Sequence, residues 1–212
     1  MAPRGKTMKL SQSLGAAAFA LAALSAQAQS TNLVLNGSFE SGSDLALTDW
    51  TLKQNGTVAF SYDSFQDGLR SIDLDNKKVN GRNSFNSSIS QTITGTGLVN
   101  LSFWYAANPT DSGSTNEVKF AVVFGLGNVN GSVLGASSNS TTWQRYTQLI
   151  DLGTSGTATL SFAAAGSKDY IGGYIDDVSV TAVPEPEYYA MLLAGLGLMG
   201  TIALRRNKNK AG

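Results

Sequence analysis

The segment "LSFWYA" (Leu101–Ala106) decides the fold class of this chain. In an extended strand, successive side chains point to opposite faces, so Leu101, Phe103 and Tyr105 share one face. Trp104 then lies on the other face. This alternation predicts a strand with one continuous apolar face, which has to pack on a second layer. Because a sandwich has two sheets, the sequence alone leaves open which face of this strand is interior.

Three other segments show the same short extended pattern: "VKFAVVF" (118–124), "TATLSFAA" (157–164) and "YIDDVSVTAV" (174–183). No stretch between them has a sustained helical period. Asn-Gly pairs favour tight turns, and they occur at 36–37, 55–56, 80–81 and 130–131. Many short strands separated by turn signals predict an all-β fold, an antiparallel β-sandwich of the jelly-roll type.

Composition excludes several classes of function. The 212 residues include no cysteine and no histidine, which removes disulfides, thiolate or imidazole catalysis and the zinc sites that Cys and His form. Between residues 29 and 183 there are 8 basic and 13 acidic residues, a net charge of −5. A nucleic-acid-binding domain needs a basic footprint, so that class is excluded as well.

The N-terminus has the composition of a secretory signal. A basic start precedes an apolar run from Leu14 to Leu24, and Ala26 and Ala28 provide the small residues that signal peptidase requires. We therefore expect residues 1–28 to be a signal peptide cleaved after Ala28. The alternative is an uncleaved N-terminal membrane anchor.

The C-terminus, "VPEPEYYAMLLAGLGLMGTIALRRNKNK" (183–210), contains a second apolar segment. Tyr188–Leu204 has 17 residues without a charge, at the lower limit for a transmembrane helix. Arg205 and Arg206 would remain cytoplasmic by the positive-inside rule. Both termini thus predict that the body, residues 29–183, lies outside the inner membrane. The alternative for this segment is an ordinary tail anchor.

Pro184, Glu185 and Pro186, followed by the helix and the two arginines, resemble the PEP-CTERM sorting signal. The resemblance implies that residues 184–210 are recognised and processed by an exosortase-type membrane protease. It also implies a Gram-negative host that makes exopolysaccharide, with an inner-membrane intermediate before delivery to the cell surface or extracellular matrix. The two prolines are expected to keep the segment around Glu185 extended.

The body resembles the choice-of-anchor C family and the galactose-binding-like carbohydrate-binding jelly rolls. The segments that carry this likeness are "NLVLNGSFESG" (32–42), "GLRSIDLDN" (68–76), "ISQTI" (89–93) and "GGYIDDVSV" (172–180). In similar modules the first and last strands share a structural calcium ion, which implies Glu40 and Asp176 as ligands, with Asp177 as a second possibility. Strand alternation with Val178 predicts that Asp176 faces the core. The alternative is that these acids bind backbone groups at the end of the sandwich.

Exposed aromatic rings are the side chains on which sugar rings stack, and the candidates are Trp104, Tyr62, Phe65 and Tyr170. Asn108, Asn116 and Arg145 are candidates for polar contacts. Packing is the alternative for each aromatic residue, and the family pattern assigns Trp50 and Trp143 to the core.

The composition and the two resemblances predict a non-catalytic exported protein associated with extracellular polysaccharide, as a scaffold in a biofilm or floc. The first alternative is a lectin-like module that recognises one defined glycan. The second is a glycoside hydrolase, which needs two carboxylates. Asp73, Asp75 and Glu117 are the candidates for that reaction, although alternating acids such as Asp73 and Asp75 usually form a solvated face.

Overall fold

The structure, a computed structural model, describes residues 31–43, 46–52, 58–79, 82–84, 86–108, 116–135, 141–165, 172–184 and 186–208. Ser30–Val183 form one compact unit, and the C-terminal helix belongs to another. The predicted signal peptide, residues 1–28, lies outside the described residues, and the predicted domain boundaries stay predictions.

The described residues of the body form fourteen strands. Their bounds are β1 Gly42–Ser43, β2 Ala46–Leu47, β3 Thr51–Leu52, β4 Ala59–Ser61, β5 Ser71–Asp73, β6 Asn76–Val79, β7 Arg82–Ser84, β8 Ser88–Thr94, β9 Leu98–Ala107, β10 Glu117–Phe124, β11 Gly127–Leu134, β12 Gln144–Asp151, β13 Thr157–Ala165 and β14 Gly173–Ala182. The four segments predicted as strands correspond to β9, β10, β13 and β14, so these predictions are confirmed.

Ten of these strands build two five-stranded antiparallel sheets. Sheet I has the order β12-β9-β14-β5-β4, and sheet II has the order β11-β10-β13-β8-β3. Two further pairs, β1–β2 and β6–β7, are short antiparallel ribbons. The predicted all-β jelly-roll sandwich is therefore confirmed.

The two sheets pack through aromatic rings at the centre of the sandwich. Phe103 of β9 is fully buried, and its ring lies 5.0 Å from the ring of Phe162 on β13 and 5.5 Å from that of Phe120 on β10. Tyr146 of β12 stacks on the same ring at 5.0 Å. Edge-to-face and offset aromatic pairs add to the free energy gained by burying apolar area.

This packing settles the orientation of β9. Leu101 and Phe103 are completely buried, and Tyr105 packs against the core. Trp104 therefore lies on the outer face of sheet I, where it is half-buried.

One of the predicted turns is wrong. Asn130 and Gly131 lie inside β11, and the chain reverses instead at Gly125, which has a φ of +48°. A Cβ atom on Gly131 would lie 2.6 Å from the Phe120 ring, so this glycine permits close approach of a core ring. The turn at Asn36 is confirmed, because the Phe39 N–H donates to the Asn36 carbonyl oxygen at 3.2 Å. The pairs at 55–56 and 80–81 include residues outside the described ranges.

A helix follows the body, as predicted: α1, Pro186–Lys208. Pro186 is its first residue, so the expectation that both prolines keep the chain extended is wrong for this position. Proline is favoured at the first helical position because its missing N–H would have no partner there. Glu185 lies outside the described residues. None of the helices that the structure describes is long and apolar enough to cross a membrane.

We predict that Phe103→Ala lowers the free energy of unfolding by about 3–5 kcal/mol, because it removes the ring that joins three others at the centre of the core. Urea unfolding of the full chain measures this loss. Leu126→Ala, at a fully exposed hairpin residue, is the control and should change stability by less than about 0.5 kcal/mol. Equal effects of the two substitutions would contradict this assignment of the core.

Candidate functional site

A β-bulge in β14 determines where its acidic residues lie. Asp176 pairs with Trp104, but the next pair along the two strands joins Ser179 to Ser102. Over this interval β14 advances by three residues while β9 advances by two. The extra residue is accommodated at Asp177, which has a φ of 45°. The bulge reverses the alternation, so Asp176 lies on the outer face while Val178 is in the core. The prediction that Asp176 and Val178 share a face is therefore wrong.

Asp176 is nevertheless completely buried, because the loop Tyr62–Arg70 packs over its carboxylate. We call this segment the clamped loop. The Asp176 Oδ2 accepts the backbone N–H groups of Gln66 at 2.7 Å and Asp67 at 3.0 Å, and its Oδ1 accepts that of Asp177 at 2.7 Å. Burial raises the pKa of Asp176 to about 6, although the three N–H donors oppose that rise.

Glu40 holds the other end of the clamped loop. Its Oε1 accepts the backbone N–H groups of Leu69 at 2.9 Å and Arg70 at 3.2 Å. The Arg70 guanidinium in turn lies 3.8 Å from the centre of the Phe60 ring, and its Nε donates to the Phe39 carbonyl oxygen at 2.9 Å. Two carboxylates thus fix the backbone of one loop, each by a pair of consecutive N–H groups.

The clamped loop carries two of the predicted sugar-stacking residues. The side chains of Tyr62 and Phe65 are 62% and 40% exposed. Ser64 shares a hydrogen bond of 2.9 Å with Thr141, just before β12, which ties the loop to a second edge of sheet I. The fold therefore brings Tyr62 and Phe65 to the side of the sandwich that carries Trp104. Tyr170 lies outside the described residues.

Trp104 is held by polar groups on both neighbouring strands. On β14 its indole lowers the pKa of the neighbouring Asp177 carboxyl, and its pairing partner on β12 is Arg145. Burial and the nearby charge of Asp67 raise the pKa of Asp177, while Arg145 and the indole act in the opposite direction. Arg145 is exposed, and its Nη2 donates to the Ser102 hydroxyl at 3.2 Å. A half-buried aromatic ring thus has an exposed cation and a carboxylate as neighbours.

Of the two tryptophans predicted to be in the core, only Trp50 is there. Trp50 is 5% exposed and its ring lies 5.4 Å from that of Phe39. Trp143 is half-buried outside the core, with its ring 6.4 Å from that of Tyr174 on the outer face of sheet I. Trp143 precedes Arg145 by two positions, so strand alternation puts both side chains on the outer face. The prediction was wrong because it followed the family pattern and not this alternation.

The acids considered for hydrolysis do not form a solvated face. Asp73 is 6% and Asp75 1% exposed, because Asp73 lies between β4 and β14 in sheet I. Burial raises the pKa of Asp73 to about 7, and the charge of Asp75 adds to the rise. Hydrogen bonds from the Asp75 and Gly172 N–H groups and the Asn108 side chain oppose it. The Asn116 side-chain oxygen accepts the Asn108 N–H at 3.1 Å, so two of the three residues predicted for polar contacts belong to this cluster, and only Arg145 lies beside Trp104. Glu117 begins β10 of sheet II.

The contacts of the predicted calcium ligands do not fit a calcium site. Glu40 and Asp176 direct their oxygens at backbone N–H groups, whose positive ends occupy the positions that a cation would need. No group of three or more acidic side chains that could hold a metal occurs within the described ranges. Calcium binding by Glu40, Asp176 and Asp177 stays a prediction, and the observed geometry favours the alternative, in which the acids bind backbone.

The C-terminal segment matches one family model. Residues 182–207 match the model of the PEP-CTERM protein-sorting motif. The chain carries a PEP-CTERM sorting motif. This match confirms the resemblance of Pro184, Pro186, Arg205 and Arg206 to that signal, although the finer role of each residue stays a prediction.

Solved structures share the fold of the body. The carbohydrate-binding module TmCBM61, in complex with β-1,4-galactotriose, has a TM-score of 0.55 at 17% identity, covering 73% of this chain and 100% of its own. A family 16 carbohydrate-binding module has a TM-score of 0.52 at 13% identity, covering 71% and 100%. This likeness shows the jelly-roll fold of such modules, while the choice-of-anchor C assignment stays a prediction. None of the curated proteins compared is significantly similar.

We predict that stability falls as pH rises from about 5 to about 7. The folded pKa of Asp73 is about 7, above the value of 3.8 for the free group. The native state therefore binds more protons than the unfolded state across this interval, and the free energy of unfolding decreases with pH. Over these two pH units the free energy of unfolding should fall by about 2–3 kcal/mol because of Asp73. Asp73→Asn should flatten most of this decrease in urea unfolding of the full chain. Asp151→Asn, at an exposed position, should not, and a wild-type profile in both variants would contradict the prediction.

Proposed function

We propose that this chain is an exported, non-catalytic carbohydrate-binding protein whose glycan site is the outer face of sheet I under the clamped loop. The observation that carries the proposal is the anchoring of this loop by Glu40 and Asp176, which presents exposed Tyr62 and Phe65 on the side of the sandwich that carries Trp104. The sorting motif supports export, and the fold shared with carbohydrate-binding modules supports the class of ligand.

Preorganisation is the physical reason to favour this face. Aromatic rings bind the apolar faces of sugar rings, and a ring that is already fixed loses little conformational entropy when the sugar arrives. Trp104 is half-buried on β9, which is paired on both sides in sheet I, and the backbone next to Phe65 is fixed by Asp176. Arg145, exposed beside Trp104, can donate to sugar hydroxyl groups.

The charge of this face limits the class of glycan. Asp63 and Asp67 belong to the clamped loop and Asp177 contacts Trp104. Carboxylates accept hydrogen bonds from neutral sugar hydroxyls and repel an anionic polymer. We therefore propose a neutral polysaccharide as the ligand of the Trp104 face.

The biological setting follows from the sorting motif. We propose that an exosortase-type protease processes the C-terminal segment after signal peptidase has removed residues 1–28. The mature body would then act as a scaffold in exopolysaccharide at the surface or in the matrix of a Gram-negative bacterium. The proposal includes a transient intermediate at the inner membrane, bound through the C-terminal segment, although α1 as described is not long and apolar enough to span the bilayer. A lectin-like role differs from it only in requiring one defined glycan.

Affinity measurements on the full chain, in mild detergent, test the glycan site. We predict saturable binding to at least one neutral polysaccharide of a panel, with Trp104→Ala, Tyr62→Ala or Phe65→Ala each lowering affinity about tenfold or more, equivalent to about 1.4 kcal/mol. Leu149→Ala is the matched control, because Leu149 is 59% exposed on the same sheet and lies in β12, away from the loop. Its affinity should equal that of the wild type.

Two further readouts separate the alternatives. Glu40→Ala should weaken binding by loosening the clamped loop without removing a sugar contact, and added calcium should not restore it. Release of soluble oligosaccharides from any polymer of the panel would instead identify a glycoside hydrolase. Absence of saturable binding to every neutral polymer would overturn the proposed site.

We also predict that the form of the protein exported by its host begins at Gln29 and lacks the C-terminal helix and the basic residues that follow it. Intact-protein mass spectrometry of the exported fraction measures both ends. Glu185→Ala should leave the C-terminal segment attached, because it alters the motif that the protease would recognise. A C-terminally intact exported wild type would contradict processing, although not glycan binding.

A further inference from the structure

A groove crosses the outer face of sheet II, on the opposite side of the sandwich from Trp104. Three neighbouring strands form it, in two cross-strand rows: Asn130, Ala121 and Ser161, then Ser132, Lys119 and Ala163. Together with Phe120 and Gly131, which pair between the two rows, these six residues line a depression of about 520 Å³. Their neighbours Phe120 and Phe162 point the other way, into the core.

The groove exists because its floor has small side chains. Ala121 pairs with Ser161, and Ala163 follows two residues later on the same face of β13, while Lys119, Asn130 and Ser132 complete the lining with longer or polar side chains. Its volume lies within the range of about 300–1,000 Å³ that ligand sites occupy, and a few polar groups around an apolar floor match the two kinds of surface of a sugar ring. No aromatic side chain is directed outward among the lining residues, so binding here would rest on hydrogen bonds and charge.

Charge is unevenly distributed between the two sheets. The strands of sheet II carry one acid, Glu117, and one base, Lys119. The strands of sheet I carry one base, Arg145, against four acids, Asp73, Asp151, Asp176 and Asp177. Among the strands of the two sheets, the negative charge is thus concentrated on sheet I, which carries Trp104. At physiological ionic strength it is screened beyond about 8 Å, so the groove is governed by its own residues.

Within the groove the charge is positive. Lys119 is exposed, and no acidic side chain lines the depression. Glu117 lies one row further along β10, where it pairs with Leu134 and Ala165 outside the groove. An ammonium group beside amide and hydroxyl groups is a suitable partner for a sugar carboxylate.

We propose that this groove binds a uronate-bearing polysaccharide, with a sugar carboxylate at the Lys119 ammonium group and sugar hydroxyls at Asn130, Ser132 and Ser161. This site is independent of the Trp104 face and lies on the other sheet. A chain with a neutral-glycan site on one side and an acidic-glycan site on the other would cross-link two polymers, which is the physical requirement for a matrix scaffold.

The test compares polygalacturonate with fully methyl-esterified polygalacturonate, which has the same sugar backbone without the charge. Binding of the full chain, in mild detergent and with a chelator to exclude calcium bridges, is measured at 50 and 300 mM NaCl. We expect saturable binding of the charged polymer that weakens at high salt, and at least tenfold weaker binding of the ester.

Four variants locate the site. Lys119→Gln should weaken polygalacturonate binding about tenfold, Lys119→Arg should retain it, and Ala163→Phe should abolish it by filling the groove. Val123→Gln, at an exposed position of the same strand as Lys119 outside the groove, is the matched control and should bind as the wild type does. Unchanged melting temperatures of the variants show that they are folded, and Lys119 is exposed enough for that outcome to be expected.

Three results would overturn the proposal: no saturable binding of polygalacturonate, equal binding of the ester, or equal binding by Lys119→Gln. Trp104→Ala distinguishes this proposal from the glycan site on sheet I, because it should lose neutral-polymer binding and keep polygalacturonate binding. Loss of both activities in Trp104→Ala would place both ligands on sheet I and would exclude the groove.

Discussion

Strand β9 is constrained on both of its faces, and the rest of the structure depends on that double constraint. Its inward residues, Leu101 and Phe103, join the two sheets through the aromatic core. Its outward residue Trp104 forms the centre of the candidate glycan site. Because the two sets alternate along one backbone, packing of the core positions the site. A rigid strand is a more exact support for a binding residue than a loop would be.

The clamped loop above that strand is held by hydrogen bonds to two carboxylates instead of by apolar packing. Asp176 and Glu40 each accept hydrogen bonds from two consecutive backbone N–H groups of the clamped loop. These four N–H groups therefore keep hydrogen-bond partners although the loop covers the sheet. Burial of Asp176 costs free energy, as its raised pKa shows. The resulting hydrogen bonds hold the loop in place with the rings of Tyr62 and Phe65 exposed, which is an arrangement suited to binding a sugar.

The alternation of apolar residues was sufficient to predict β9, β10, β13 and β14, because a period of two is a local property. The outward face of Asp176 was not predictable in this way, since a single extra residue at Asp177 reverses the period and only the pairing with β9 reveals it. Gly131 was misleading for a similar reason: a glycine required by a ring on the next strand has the same sequence signal as a turn. The groove of sheet II depends on residues from three strands, so no local pattern could indicate it.

The indole N–H signals of the three tryptophans, followed by two-dimensional NMR during titration with a neutral oligosaccharide from the polymer that binds, test the central claim most directly. Trp104 lies at the proposed site, whereas the Trp50 indole is buried and donates to the Asn36 carbonyl oxygen, which makes it an internal control. We expect a saturable shift of the Trp104 signal with an unchanged Trp50 signal. Saturable binding that leaves the Trp104 signal unchanged would contradict it.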